Sequence, residues 1–351
     1  MGIHMRELKI TLTSQILNLI SEIDEFRGQW SVLKNLSPER LKALRTVATI
    51  ESIGSSTRIE GAKLSDRQVE ELLGAIGTRS FRSRDEEEVA GYAEAMNVVF
   101  GSFGEIPLTE NYIKQLHGIL LRFSTKDIHH RGEYKKVPNS VEAFDAQGQS
   151  VGVIFQTASP FDTPRLMKEL TEWTNKKIEE KTHHPLLLIA VFVLHFLNIH
   201  PFQDGNGRLS RVLTALLLLQ KGYSYVPYSS LEHVVEGNKD DYYLSLRRSQ
   251  KNLGTEEEDL EPWIVFFLKA LKTQKDSLKT KIEREGQMLS LPTLSQAILN
   301  LAKEHGRITN SAVQAVTQAN RNTIKAHFIR LVADGLLIQS GKGKGTWYRL
   351  G

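Results

Sequence analysis

The longest apolar run in the chain is residues 186–199, interrupted only by His195 and Asn198. With Pro185 suited to a first helical position, where an N–H would go unbonded anyway, the run predicts a buried helix that Pro201 ends near His200. Leu209, Val212, Leu213, Leu216 and Leu217 then recur at helical spacing, so a second buried helix starts near Gly207. The rest of the chain shows one-sided patterns. Residues 7–30 carry Ile16, Ile20 and Ile23, and Ser37-Pro38-Glu39 opens a helix that runs through Ile50 to about Glu60. Ser65-Asp-Arg-Gln68 is a capping box with Val69, Leu72 and Leu73 turned inward. A polar loop at 77–85 precedes a helix at 86–103, and Thr109 caps another with Ile113, Leu116, Ile119 and Leu121. Thr163-Pro164 opens a helix to about Lys181, with Leu166, Leu170 and Trp173 on one side. After a loop at 223–231 a helix bears Tyr242 and Leu246. Glu261-Pro262-Trp263 starts one through Leu271, whose charged continuation to about Glu285 reads as a connector ended by Leu291-Pro292. Residues 128–160 break the helical pattern: 131–141 and 151–156 are β-rich and split by 145–148, which predicts a hairpin.

Composition changes this picture little. The chain has 351 residues, 40% of them hydrophobic, enough for two or more domains. It has no cysteine, which excludes disulfides and thiolate metal sites and fits a reducing compartment. The stretch MGIHMRELKITLTSQ lacks the apolar segment of a signal peptide, and the 186–199 run falls short of the ~20 residues that span a bilayer. The expectation is a cytoplasmic protein with no membrane partner. Charge is uneven: residues 290–351 carry eight Lys/Arg against Glu304 and Asp334, a net +6, against −2 for the rest. That asymmetry suggests an acidic partner for the tail.

Candidate chemistry concentrates in residues 200–211, HPFQDGNGRLSR. Gly205-Asn206-Gly207 allows a tight turn and a close backbone approach to a ligand. The helix that follows presents free N–H groups and a positive dipole end, an anion site. Arg208 and Arg211, three apart, share a face and suit a polyphosphate. Asp204 at the lip can hold Mg²⁺ against phosphate oxygens, and His200 can accept a proton near neutral pH. The set points to phosphoryl or nucleotidyl transfer. His117, His195 and the pairs His129-His130 and His183-His184 lack partners at ligand spacing and read as packed or solvent-facing.

This stretch resembles the Fic signature HPFxDGNGRxxR, with every fixed position matched. The resemblance implies a mostly α fold: a Fic-type helical core with a small β-hairpin flap. It implies transfer of AMP from ATP to a Ser, Thr or Tyr hydroxyl of a target protein. His200 would then be the general base, Asp204 the Mg²⁺ ligand and Gly205, Asn206 and Gly207 the phosphate hole. Arg208 and Arg211 would grip the outer phosphates, and Phe202 would anchor the loop. Ser56-Thr-Arg-Ile-Glu60-Gly61 is similar to the family's inhibitory motif [S/T]xxxE[G/N], and by that likeness Glu60 pairs with Arg211 and restrains the enzyme. Ser56 and Glu60, four apart, lie on one helical face. The hairpin at about 131–156 corresponds to the flap on which a target segment adds as a strand. Tyr242 and Tyr243 correspond to a helix lining the adenine pocket, with Gln250 a weaker candidate.

The expected organisation is an N-terminal helical region at 1–108 holding the motif at 56–61, a core at 109–271, a connector at 272–292 and a winged helix at 293–351. In that tail, three helices precede a hairpin with a basic tip, and Arg321, Asn322 and Lys325 start the third. Duplex DNA and a second copy of the chain are therefore further candidate partners. The alternative reading is a DNA-binding regulator whose Fic core senses a nucleotide or modifies itself.

Overall fold

The computed structural model describes residues 10–33, 37–76, 80–144, 150–289 and 291–351. They fall into two compact units, Met1–Leu278 and Lys279–Gly351. The first holds α1 (Ser14–Leu33), α2 (Pro38–Ile59), α3 (Asp66–Ala75), α4 (Arg84–Ser102) and α5 (Glu110–Leu120). The strands β1 (Ser140–Phe144) and β2 (Ser150–Gln156) follow. Then come α6 (Thr163–Glu180), α7 (Pro185–Ile199), α8 (Asn206–Gln220), α9 (Leu231–Gly237), α10 (Lys239–Gln250) and α11 (Glu261–Leu289), which runs across the boundary between the units.

The centre of the first unit is α7, apolar on all sides and buried at every position from Leu186 to Ile199 except Asn198. It packs against α6 and α8. Side chains of this size are worth about 1.5–3 kcal/mol each when fully buried, which makes this helix the main anchor of the loop that follows it. Small residues bring other helices close. At Gly91 in α4, a Cβ would overlap the Leu120 carbonyl at the end of α5. The last turns of α2 bury Ser52, Ser55, Ser56 and Thr57, which lets that helix end press into the core beside α4 and α9.

Most elements lie where the hydrophobic pattern puts them. Ser65 forms the capping box, and Thr109 caps α5. Helix α4 begins at Arg84, so the end of the expected 77–85 loop is helical, with Ser83 as its cap. The expected loop at 223–231 contains a 3-10 turn at Val226–Tyr228, and α9 begins at its last residue. The β-rich reading of 131–141 holds only from Ser140. Before it, the Lys135 N–H donates to the Pro201 carbonyl and Pro138 has no N–H, so no ladder can start there. The hairpin is antiparallel, from Ser140↔Gln156 to Phe144↔Ser150, with two register shifts. Its expected tip at 145–148 lies outside the described residues.

The second unit holds α12 (Thr293–His305), α13 (Asn310–Thr317), α14 (Arg321–Ala333) and a two-stranded antiparallel hairpin, β3 (Leu337–Ser340) with β4 (Trp347–Leu350). It has its own core, in which Phe328 stacks on Tyr348 with ring centroids 3.8 Å apart. A bridge between Ile308 and Tyr348 ties the hairpin to the segment before α13. Among the described residues, no helix is long and apolar enough to cross a membrane.

Candidate active site

His200 caps the C-terminus of α7 in left-handed backbone, φ 53° and ψ 59°, a conformation that costs a non-glycine residue energy and is found preferentially at functional sites. Its N–H still reaches the Phe196 carbonyl at 2.9 Å. The ring Nδ1 lies 3.4 Å from the Leu197 carbonyl. In the tautomer that donates this bond, Nε2 is left as a proton acceptor. Burial, aided by the charge of Lys135, lowers the His200 pKa to about 4, while Glu60 and Asp204 act in the other direction. The imidazole is therefore neutral at pH 7, the form a general base needs.

Between α7 and α8 the loop is stapled internally. Phe202 is fully buried and stacks on His117 at 3.8 Å. Asn206 turns its side chain inward, accepting from the Phe202 N–H at 2.9 Å and donating to the Phe202 carbonyl at 2.8 Å. Only its backbone N–H is thus left to face an anion. Gly205 has φ 78°, and α8 begins one residue later. His117 lies under the turn: Nε2 is 3.0 Å from the Asp204 carbonyl, and Nδ1 accepts from the Gly132 N–H at 3.0 Å. It packs and holds the turn, with burial lowering its pKa to about 4. His195 is also a buried, neutral core histidine, lowered to about 4 for the same reason.

The charged residues form a chain across the start of α8. Arg211 donates to Ser56 Oγ at 2.8 Å, to the Ser56 carbonyl at 2.9 Å and to Glu60 Oε1 at 2.7 Å. Burial pushes the Glu60 carboxyl up, but Arg211, with Arg208 behind it, outweighs this and holds it below the usual range. The carboxylate lies against Gly207, where an added Cβ would overlap it. Glu60 therefore occupies the anion position that the helix start offers. Arg208, 2% exposed, pairs with Asp204 at 3.0 Å and with Glu88 at 3.0 Å. Arg84 bridges Glu88 at 2.7 Å and Asp204 at 2.8 Å. Burial raises Asp204, yet Arg208, the Gly205 N–H and Arg84 together keep it below its ordinary value. Arg208 Nε and Arg211 Nη1 are buried with no hydrogen-bond partner among the described residues. Buried guanidinium donors left open in this way fit an anion.

Tyr242 is packed among Tyr243, Trp263 and Phe266, and lines a small cavity together with Arg211 and Ser210. Tyr243 is half-buried beside it, its phenol raised by burial and then by the charge of Glu60. The fold thus brings the α10 tyrosines toward the Glu60–Arg211 pair. Gln250, at the far end of α10, is buried with neither amide atom hydrogen-bonded among the described residues. Sequence reasoning missed Arg84, Glu88 and Lys135. The first two are one helical turn apart at the start of an acidic helix, and that i,i+4 spacing was the available signal.

A left-handed histidine, a Gly-Asn-Gly turn and two buried arginines with open donors at a helix start make an arrangement that suits an anion. Residues 107–218 match the model of the Fic/DOC family. The chain is a distant homologue of proteins named protein adenylyltransferase Fic. The one from Drosophila mojavensis is 26% identical over 250 residues, covering 71% of this chain and 44% of that protein. The one from Drosophila melanogaster is 27% identical over 250 residues, covering 71% and 45%. The matched stretch spans a little under half of these relatives. Among solved structures, a Fic family protein from Desulfovibrio desulfuricans G20 shares the fold, with TM-score 0.62 and 23% identity, covering 98% of each chain. A Fic domain containing signaling protein from Bacteroides thetaiotaomicron VPI-5482 aligns with TM-score 0.60 and 27% identity, over 77% of this chain and 97% of that one.

Proposed function

We propose that the protein is a protein adenylyltransferase that moves AMP from ATP to a Ser, Thr or Tyr hydroxyl of a target protein and is restrained by Glu60. The observation that carries this reading is His200, held in left-handed backbone at the end of α7, just ahead of a helix start lined by buried Arg208 and Arg211. The triphosphate lies along the N–H groups of Asn206 and Gly207, Gly205 donating its own to Asp204, and takes up the open guanidinium donors. Tyr242 and Tyr243 face the nucleoside. The acceptor oxygen attacks the α-phosphorus as its proton passes to His200 Nε2. The bond from that phosphorus to the bridging oxygen breaks, and pyrophosphate leaves.

Asp204 fits a Mg²⁺ ligand: its side chain is 29% exposed and held ionised. No cluster of three acidic or histidine side chains suited to a metal occurs among the described residues, so the protein supplies one carboxylate and the phosphates supply further oxygens, the pattern Mg²⁺ favours. Bound there, Mg²⁺ would neutralise charge on the leaving pyrophosphate.

Restraint follows from the Glu60 carboxylate. It neutralises Arg211 and sits against Gly207, where an outer phosphate would go. The test uses ATP tagged on the α-phosphate with a cell lysate. Glu60→Gly should raise protein labelling at least tenfold, and His200→Ala in that background should abolish it. Unchanged labelling by Glu60→Gly, with normal ATP binding, removes the restraint; labelling that survives His200→Ala removes the base.

A second reading rests on the C-terminal unit, read as a winged helix. Arg321, Asn322 and Lys325 are exposed at the start of α14 and Lys342 is exposed beyond β3, a basic arrangement suited to duplex DNA. Affinity for duplex DNA that falls steeply with added salt supports a regulatory role; absence of binding at 50 mM-scale salt, on the order at which such contacts are strong, removes it.

A further inference from the structure

Lys135 is 3% exposed. Its ammonium donates to three neutral oxygens: Asn139 Oδ1 at 2.8 Å, Thr157 Oγ1 at 2.8 Å and the Ile199 carbonyl at 3.1 Å. No carboxylate faces it among the residues whose side chains are described. An ammonium buried without a counter-charge is costly, and an apolar side chain of the same length would fill the space without that cost. Stability does not explain it.

What the ammonium does is join. Asn139 precedes β1, Thr157 follows β2, and Ile199 is the last residue of α7, next to His200. Two further bonds double the link: the Lys135 N–H donates to the Pro201 carbonyl at 2.9 Å and the Asn139 side-chain Nδ2 to the Phe202 carbonyl at 2.9 Å. Both legs of the hairpin are therefore tied to the chain on either side of His200. We infer that Lys135 is a positioning residue, fixing the base of the β1–β2 hairpin to the backbone that carries His200, so that an acceptor segment added to the hairpin presents its hydroxyl at a set distance from Nε2. This rests on the reading that the hairpin docks the acceptor and His200 takes its proton. The same ammonium opposes protonation of His200, against Glu60 and Asp204, which favour it.

The experiment uses the full chain with Lys135→Met and Lys135→Arg. Amide exchange is followed across both strands, and the His200 ring is titrated by NMR. Lys135→Met should speed exchange in residues 140–144 and 150–156 at least tenfold while α7 and α8 keep their protection, and His200 should titrate at higher pH. Lys135→Arg, which keeps the charge and can reach the same oxygens, should restore most of both. In the Glu60→Gly background, Lys135→Met should leave the KM for ATP unchanged and cut AMP transfer to protein at least tenfold. Should Lys135→Met fail to fold, Thr157→Val removes one acceptor and should also loosen the hairpin. Unchanged hairpin exchange in Lys135→Met, or in Thr157→Val where that variant replaces it, overturns the inference. Exchange and titration do not depend on catalysis, so an inactive Glu60→Gly enzyme would sink the proposed function and leave this result readable.

Discussion

Phe202 shows how one side chain sets the site without touching a ligand. Its ring is fully buried against His117 and Tyr134, and its N–H and carbonyl are the two ends of the Asn206 staple. Phe202→Ala would open a cavity under the turn and should cost about 3–5 kcal/mol. Urea unfolding followed by circular dichroism measures this, and a loss below about 1 kcal/mol would mean the ring is not the anchor. Much of the site at this scale is legible in the sequence, because His200, Asp204, Gly205, Asn206, Gly207, Arg208 and Arg211 sit within one turn between two helices whose apolar spacing is plain. Arg84, Glu88 and Lys135 are not. The i,i+4 spacing marks Arg84 and Glu88 as a pair, but the site partners of the three lie 120, 120 and 64 residues away, and neither a lone lysine nor an acidic helix start marks those. The inward turn of the Asn206 side chain is equally invisible, since the spacing that suggests a phosphate hole also suits a self-stapled loop.

Helices meet here through small residues, and that gives predictions about elements. Gly91 lets α4 lie on the end of α5, and the Cβ of Gly91→Ala would overlap the Leu120 carbonyl, which is backbone and cannot rotate away. The helices must separate, at a cost of about 1–3 kcal/mol or more, read as a lowered midpoint in thermal or urea unfolding. The end of α2 is held differently. Arg58 pairs with Glu236 of α9 at 2.6 Å and Asp66 of α3 at 2.8 Å, and donates to the Leu64 carbonyl at 3.0 Å. Arg58→Ala should leave the global fold intact and raise amide exchange at residues 57–61 about tenfold; unchanged exchange there would show that the Ser56 and Glu60 contacts hold the helix end alone. Capped, periodic helices were readable, as at Ser65 and Thr109, because cap and stripe agree. Helix α9 was not, because seven residues give too little period to read. The strand start was misplaced because backbone pairing of Lys135 with Pro201 overrides local β preference.

Across the whole molecule, burial of neutral imidazoles ties stability to pH. His117 and His195 are 0% and 5% exposed, and burial lowers both to about 4; His200 is shifted the same way. An unfolded chain protonates its histidines near 6.5, so between 6.5 and 4 it binds more protons than the folded chain. Stability contributed by keeping these rings neutral is complete above 6.5 and is lost as pH falls toward 4. Two fully buried rings alone give a slope of about 2–3 kcal/mol per pH unit in the middle of that window. Glu60 and Asp204, both paired with arginine, have folded values below their ordinary range and add loss of the same sign further into acid; Glu88, which burial raises despite its two arginines, acts in the opposite sense. Urea midpoints at pH 7.5, 6, 5 and 4.5, on the order of the interval the two histidine values define, should be flat at first and then fall steeply. His117→Gln should flatten that fall by about one proton's worth if the folded chain tolerates the amide. A wild-type midpoint constant down to pH 4.5 would mean these rings titrate normally in the fold, and with them the argument that His200 is held neutral by its surroundings would lose its support.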